Sequence, residues 1–236
     1  QMKFLAQADM ILPTSRQYLD TSPTLQRFHE RCRVMPLGID TAAFETCDPQ
    51  LLAEVRARYG ESYVLFVGRH RYYKGIEYLV RAAPHIRAKV VIAGDGPERK
   101  RCQALAQKAG GDVEFPGELT HEELKAHLHG CAVFAFPSIV RSEAFGLSLL
   151  EAHACGKPTV ATKLGTGVEF VSLDGETGLN VPPHDPGALA AAVNRLLDDS
   201  ELRRRLGEAA LRRVKSEFEA ERVARAEFDL YQEVLG

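Results

Sequence analysis

The stretch "KVVIAGDGPERKRCQALAQKAG", Lys89–Gly110, decides the fold. Val90–Ala93 is apolar without alternation, the pattern of a strand covered on both faces. A Gly-Asp-Gly turn follows, then a charged helical stretch that stops on Gly110. Strand, turn and helix in that order form half of a parallel crossover unit.

The same alternation runs outward in both directions. Apolar runs recur at "MILPTS" (Met10–Ser15), "YVLFVG" (Tyr63–Gly68), "CAVFAFPS" (Cys131–Ser138) and "PTVAT" (Pro158–Thr162), with shorter ones at "DVEFPG" and "GLNVPP". Helical patterns lie between them. "THEELKAHLHG" opens with Thr120 and carries Glu123 three residues on, a capping box. "DPGALAAAVNRLLDD" has Asp185 as N-cap and Pro186 in the first turn. The expected fold is α/β, a doubly wound, Rossmann-like parallel sheet with helices on both faces. Ligands of such sheets bind beyond the carboxyl ends of the strands. Arg69, Asp95–Gly96 and Ser138–Glu143 all follow apolar runs and are therefore expected at one rim.

Composition narrows the function. The 236 residues carry 30 Lys and Arg against 32 Asp and Glu, so no basic field recruits nucleic acid. No apolar run is long enough for a membrane span, and the start lacks a signal-peptide pattern. The opening residues from Gln1 read as the end of a helix, which suggests a chain cut from something longer. Five cysteines, Cys32, Cys47, Cys102, Cys131 and Cys155, have no zinc spacing, and free thiols in a reducing cytosol are expected. His121, His127 and His129 are read as a solvated helix face rather than metal ligands. "ELRRRLGEAALRRVKSEF" is likewise read as a solvated amphipathic helix, because glutamates interleave its arginines.

Chemistry concentrates in "PSIVRSEAFGLSLLEAHACGKP", Pro137–Pro158. Glycine and proline end a helix there that is expected to start near Phe145 or Gly146. Glu143 then sits in the loop ahead of the helix and Glu151 in its second turn, about 12 Å apart at 1.5 Å per residue. The unpaired N–H groups of the first turn make an anion site between two carboxylates that accept from hydroxyls. A molecule with hydroxyls, then phosphates, then hydroxyls fits, and a nucleotide sugar is one. Glu151 has no basic neighbour on its helix and lies among leucines and alanines, so it needs an external donor. "GRHRYYKG" adds Gly68 for close backbone approach, Arg69 as a planar phosphate fork and Lys74 as a point charge. His70, beside that loop, is a secondary candidate for phosphate contact.

These residues carry a resemblance. The E-x7-E pair Glu143 and Glu151, "FVGRHRYYKG", "RVMPLGIDTAAF", "VVIAGDGPER" and "PSIVRSEAFGLSLLEAHACGKPTVAT" together resemble the C-terminal half of a retaining GT-B glycosyltransferase of the family four type, over about Met10 to Phe218. The resemblance implies three parts: residues 1–33 as a remnant of the acceptor domain, 34–218 as the nucleotide-sugar donor domain, and 219–236 as a helix returning towards the first domain. It implies that Arg69, Lys74 and Glu143 form the catalytic group, with the two cations on the diphosphate and Glu143 on sugar hydroxyls. It implies donor contacts from Gly68, Ala144, Phe145, Gly146 and Leu147, mainly through backbone amides, and ribose contacts from Glu151. No metal and no cofactor are expected, and the chain contains no D-x-D. The expected partners are a GDP- or UDP-sugar and a glycan or lipid-linked acceptor held by the other domain, in polysaccharide biosynthesis. The expected location is cytoplasmic, with the inner membrane face as a place of peripheral contact for a full-length protein. On the last helix Val223, Phe228, Tyr231 and Leu235 are expected to be exposed.

Two other readings compete. One is a module that binds a nucleotide or nucleotide sugar without transfer. The other is a dinucleotide oxidoreductase, which the lack of G-x-G-x-x-G after an early strand opposes. "LGTGVEFV", Leu164–Val171, is read as either a donor contact or a brace for the E-x7-E helix.

Overall fold

The computed structural model describes residues 2–235. Gln1, from which the chain start was read, and Gly236 lie outside them. Six parallel strands form one sheet: β1 (Val64–Val67), β2 (Val90–Ala93), β3 (Val113–Gly117), β4 (Val133–Phe136), β5 (Thr159–Thr162) and β6 (Gly178–Val181). Their order is β3-β2-β1-β4-β5-β6. The chain moves outward from β1 to β3, returns to the centre and moves outward again through β6. The connections after β1 and β4 therefore diverge from neighbouring strands, which opens a crevice at their carboxyl ends.

Successive side chains of a strand point to opposite faces, and the two cores divide accordingly. Val64 and Phe66 join Ile92 and Val133 beneath the helices Ile76–Ala82, Arg99–Ala109 and Pro186–Asp198. Leu65 joins Val91, Phe134 and Phe136 beneath the helices Pro49–Tyr59, His121–Gly130 and Leu147–Ala154. The Thr120–Glu123 capping box forms, and Asp185 Oδ1 accepts from the Ala188 amide at 2.9 Å. Asp48 and Pro49 start a further helix by the same chemistry, Asp48 Oδ1 accepting from Gln50 N at 2.7 Å.

Three expectations need correction. Met10–Ser15 is not a strand of the sheet. Ile11 makes one parallel bridge with Cys32, and both belong to a separate small cluster with Leu19 and Leu25. Pro13 has no N–H to continue a ladder. Ser200–Glu217 is amphipathic but not solvated throughout: it buries Leu202, Leu206, Ala210 and Val214 while Arg204 pairs with Glu201 and Glu208 outside. On Ala220–Leu235, Phe228, Tyr231 and Leu235 are exposed, but Val223 is half-buried against Gly38. Among the described residues no helix is long and apolar enough to cross a membrane.

Candidate functional site

The carboxyl-end rim brings together what the sequence placed there. After β1 the chain turns through Gly68 and Arg69 into a short 3-10 turn, Tyr72–Lys74. The Tyr73 carbonyl accepts from Ile139 N at 2.8 Å, which docks this turn on the loop after β4. Gly75 has φ 63°, and a Cβ there would strike the Pro137 carbonyl. Only glycine lets the two loops approach this closely.

That contact seats Lys74 against Glu143. Lys74 Nζ lies 2.6 Å from Glu143 Oε2, and both side chains are largely enclosed. The Lys74 ammonium also sits over the rings of Phe136 and Tyr73, at 5.1 and 5.5 Å from their centroids. Ser138 Oγ donates to the same Glu143 oxygen at 3.0 Å. The sequence reading assigned Lys74 and Glu143 to phosphate and sugar separately. The structure makes them one ion pair before any ligand arrives.

Glu143 leads into the helix Leu147–Ala154, one residue shorter at its start than the latest expected boundary. Gly146, its N-cap, has φ 96°. A Cβ there would meet Leu149 Cδ1 at 2.9 Å and Phe136 Cζ at 3.1 Å. Among the described residues, no intrachain hydrogen bond uses the backbone N–H groups of Phe145, Gly146, Leu147 or Ser148. These donors are free for an anion at the positive end of the helix. The Phe145 side chain is buried in the core against Phe170 and Phe218, so only its amide is available to a ligand. The Ala144 carbonyl is engaged, accepting from Gly167 N at 2.8 Å.

Leu164–Val171 braces the loop that carries Glu143. Thr166 Oγ1 donates to the Glu143 carbonyl at 2.8 Å. Glu169 Oε2 accepts from the amides of Leu164, Gly165 and Thr166. Arg141 Nη1 donates to the Gly165 carbonyl at 2.8 Å, and Thr21 Oγ1 reaches the same carbonyl at 2.6 Å. The loop carrying Glu143 is thus held from behind.

Glu151 occupies the second turn of its helix, half-buried, and among the described residues its carboxylate has no hydrogen-bond or ion-pair partner. Burial raises its pKa, and the His121 charge opposes this. Arg69 is exposed, and no ion pair holds its guanidinium among the described residues. It borders a cleft of about 610 Å³ between the loops after β1 (Gly68, Arg69), β2 (Asp95, Gly96) and β3 (Glu118, Leu119). Glu118 and Leu119 line this cleft and were not among the residues read from the sequence, although they directly follow the apolar run ending at Gly117.

The histidines take unlike roles. The His70 ring is not presented to the surface of the rim: it is fully buried between Phe66 and Phe115. Its backbone N–H instead donates to the Asp95 carbonyl at 2.7 Å, tying the β1 loop to the β2 loop. His127 is buried and not solvated, since its helix turns it against Tyr59. Burial lowers its pKa. His129 Nε2 bonds the Phe44 carbonyl at 2.9 Å, and His121 alone of the three is exposed. Among the described residues no three His, Cys, Asp or Glu side chains gather as a metal-holding group.

An open, doubly wound sheet with unbonded amides at a helix N-terminus beside cationic side chains is an arrangement suited to holding an anion. The chain belongs to the glycosyl transferases group 1 family, whose profile matches residues 50–213. It is 36% identical over 236 residues to the O-antigen chain mannosyltransferase C of Escherichia coli, covering 100% of this chain and 63% of that protein. It is 37% identical over 219 residues to the D-rhamnosyltransferase WbpZ of Pseudomonas aeruginosa, covering 92% of this chain and 58% of that one. The crystal structure of Anabaena Alr3699/HepE in complex with UDP superposes with a TM-score of 0.85 at 20% identity, over 96% of this chain and 64% of that one. That likeness establishes the GT-B type of fold. The chain spans about three fifths of the length of these relatives.

Proposed function

We propose that this chain is the donor-binding half of a retaining glycosyltransferase that moves a hexose from a GDP- or UDP-sugar to a glycan or lipid-linked glycan acceptor. One observation carries the reading. Lys74, Glu143 and the four free amides of Phe145–Ser148 lie on the loops after β1 and β4 at one rim of the sheet, and Arg69, unpaired among the described residues, borders the cleft between the loops after β1, β2 and β3.

In this reading the diphosphate lies against the helix N-terminus, between Arg69 and Lys74. Negative charge grows there as the bond from the sugar carbon to phosphate breaks with its electron pair leaving on oxygen. Fixed cations and amide dipoles stabilise that charge. They supply what a divalent ion supplies elsewhere, so the transfer is proposed to need none. Glu143 accepts from sugar hydroxyls and Glu151 from the ribose. A hydrolase using two carboxyls about 5 Å apart would need one as nucleophile, a role that Glu143, already paired with Lys74, is poorly placed to take. Retention then follows from attack on the face the phosphate leaves, with the acceptor's proton passing to the departing phosphate oxygen.

Support for the donor class comes from relatives named as mannosyl- and rhamnosyltransferases and from the UDP complex of Alr3699/HepE. We assign residues 1–33 and 219–236 to the junction with an acceptor-binding domain, and place the protein's work in the cytoplasm at polysaccharide assembly. Holding the acceptor is the task of that other domain, so this chain alone is expected to bind donor and transfer almost nothing. Positioning of that kind is worth up to about 7–11 kcal/mol of barrier. Calorimetry with GDP, UDP, ADP and NAD tests the reading. Micromolar binding of GDP or UDP with none of NAD supports it, and equal binding of all four or of none overturns it.

A further inference from the structure

Among the buried hydroxyls at the rim, that of Ser138 bonds a carboxylate of the proposed site and has no task in the proposed reaction. Ser138 is fully enclosed at the end of β4. Its Oγ donates to Glu143 Oε2 at 3.0 Å, the oxygen that also receives Lys74 Nζ at 2.6 Å. Its own carbonyl accepts from Thr162 Oγ1 at the end of β5. No hydrogen bond within the described residues engages Glu143 Oε1. The carboxylate is divided: one oxygen is held by the protein and one is left for a ligand.

The division has a mechanical consequence. An incoming diphosphate competes for the Lys74 ammonium, which has three donors on a flexible stem. If Lys74 were the only tether, the carboxylate would be released as the ligand arrived. Ser138 sits on a strand end, anchored to the next strand, and no phosphate can recruit it from its enclosed position. Thr166 fixes the backbone of Glu143 through its carbonyl, and among the described residues only Ser138 and Lys74 bond its side chain.

Resting on the reading of the site as a nucleotide-sugar site, we infer that Ser138 is a positioning residue that holds Glu143 on the donor sugar once Lys74 turns to the diphosphate. Thr162 is the backstop that fixes Ser138. Loss of the hydroxyl then penalises recognition of the sugar and spares recognition of the diphosphate.

The test compares Ser138→Ala and Ser138→Cys with the unaltered chain, measuring affinity for GDP against GDP-mannose and for UDP against UDP-glucose. Thermal melts check folding. The proposal expects Ser138→Ala to bind the nucleoside diphosphate within about twofold of the parent and to lose about fivefold to tenfold on the sugar nucleotide, the scale of the net contribution of one ordinary hydrogen bond. Ser138→Cys, with a weak S–H donor of similar size, is expected to fall between. A merely structural role would move both ligands together with the melt. Equal losses on both ligands, or an unchanged ratio between them, overturn the inference while leaving the donor site intact. If the unaltered chain binds neither member of either pair, the functional reading fails, and this one with it.

Discussion

Lys74 Nζ and Glu143 Oε2 lie 2.6 Å apart, joining the loop after β1 to the loop after β4. The two side chains neutralise each other. A diphosphate must therefore draw on an ammonium that already has an anionic partner, whereas Arg69 offers an uncommitted charge. The two cations should behave differently on removal.

Arg69→Ala is expected to weaken nucleoside-diphosphate binding by about 1.5–3 kcal/mol without changing the melting temperature. Lys74→Ala is expected to weaken the same binding and also cost about 3–5 kcal/mol of stability, because it strands a largely buried carboxylate. Calorimetry and urea melts on the two variants decide this. A loss of stability in both, or in neither, contradicts the contrast.

The two glutamates separate by ligand. Glu151→Ala should weaken binding of the plain nucleotide by about 1–2 kcal/mol, having lost its ribose acceptor. Glu143→Ala, which frees Lys74 for the diphosphate, should keep or strengthen binding of the plain nucleotide and should lower the preference for the sugar nucleotide. Competition binding with UDP and UDP-glucose reads both. Equal effects of the two changes on UDP would reverse the proposed orientation of the donor.

Glu151 also predicts a pH dependence. Its folded-state pKa is raised by burial, so the folded chain holds this proton more tightly than the unfolded one. The associated stability is fully present below the ordinary glutamate pKa and is lost as pH rises through the raised value. Above that window the buried charge is a standing cost. Glu151→Gln should then be more stable than the parent near pH 8 and similar to it near pH 4, by denaturant melts at each pH. A difference independent of pH would show that the carboxylate is not penalised.

Gly146→Ala tests the anion cradle. The position has φ 96°, and an added methyl meets Leu149 and Phe136. Strain of about 1–3 kcal/mol is expected, together with displacement of the free amides and a fall in diphosphate affinity. Gly60→Ala is the control. Its φ is 84° with nothing near the added carbon, so it carries conformational cost alone and should leave binding unchanged.

Much of this was readable from pattern. The apolar runs of β1, β2, β4 and β5 are continuous because helices cover both faces, and even the shorter runs of β3 and β6 joined the sheet. Met10–Ser15 misled because a short apolar run does not reveal its partner: Ile11 found Cys32, and Pro13 prevented more. The helix Pro49–Tyr59 was overlooked although Asp48-Pro49 repeats the start signal of Asp185-Pro186. At the site, residue types and rim position were legible, since strand ends dictate both. The Lys74–Glu143 pairing was not. It depends on Gly75 meeting Pro137, a contact between loops that no local spacing encodes. The burial of His70 and His127 was hidden for a similar reason, since a helix face or a turn acquires its inside only when the neighbouring element arrives.

The central position of β1 beside β4 also bears on how the chain acquires its site. These strands pair in register, Val64 with Val133 and Leu65 with Phe134, although β2 and β3 intervene in the chain. Contacts between distant segments are costly to close and tend to form late. Arg69 and Lys74 arrive with one strand, Glu143 and the free amides with the other, so no half of the molecule is competent alone. A nucleotide that needs both halves would bind only after the middle of the sheet has closed. It would act as a reporter of completed folding, slowing amide exchange across β1 and β4 rather than in one loop.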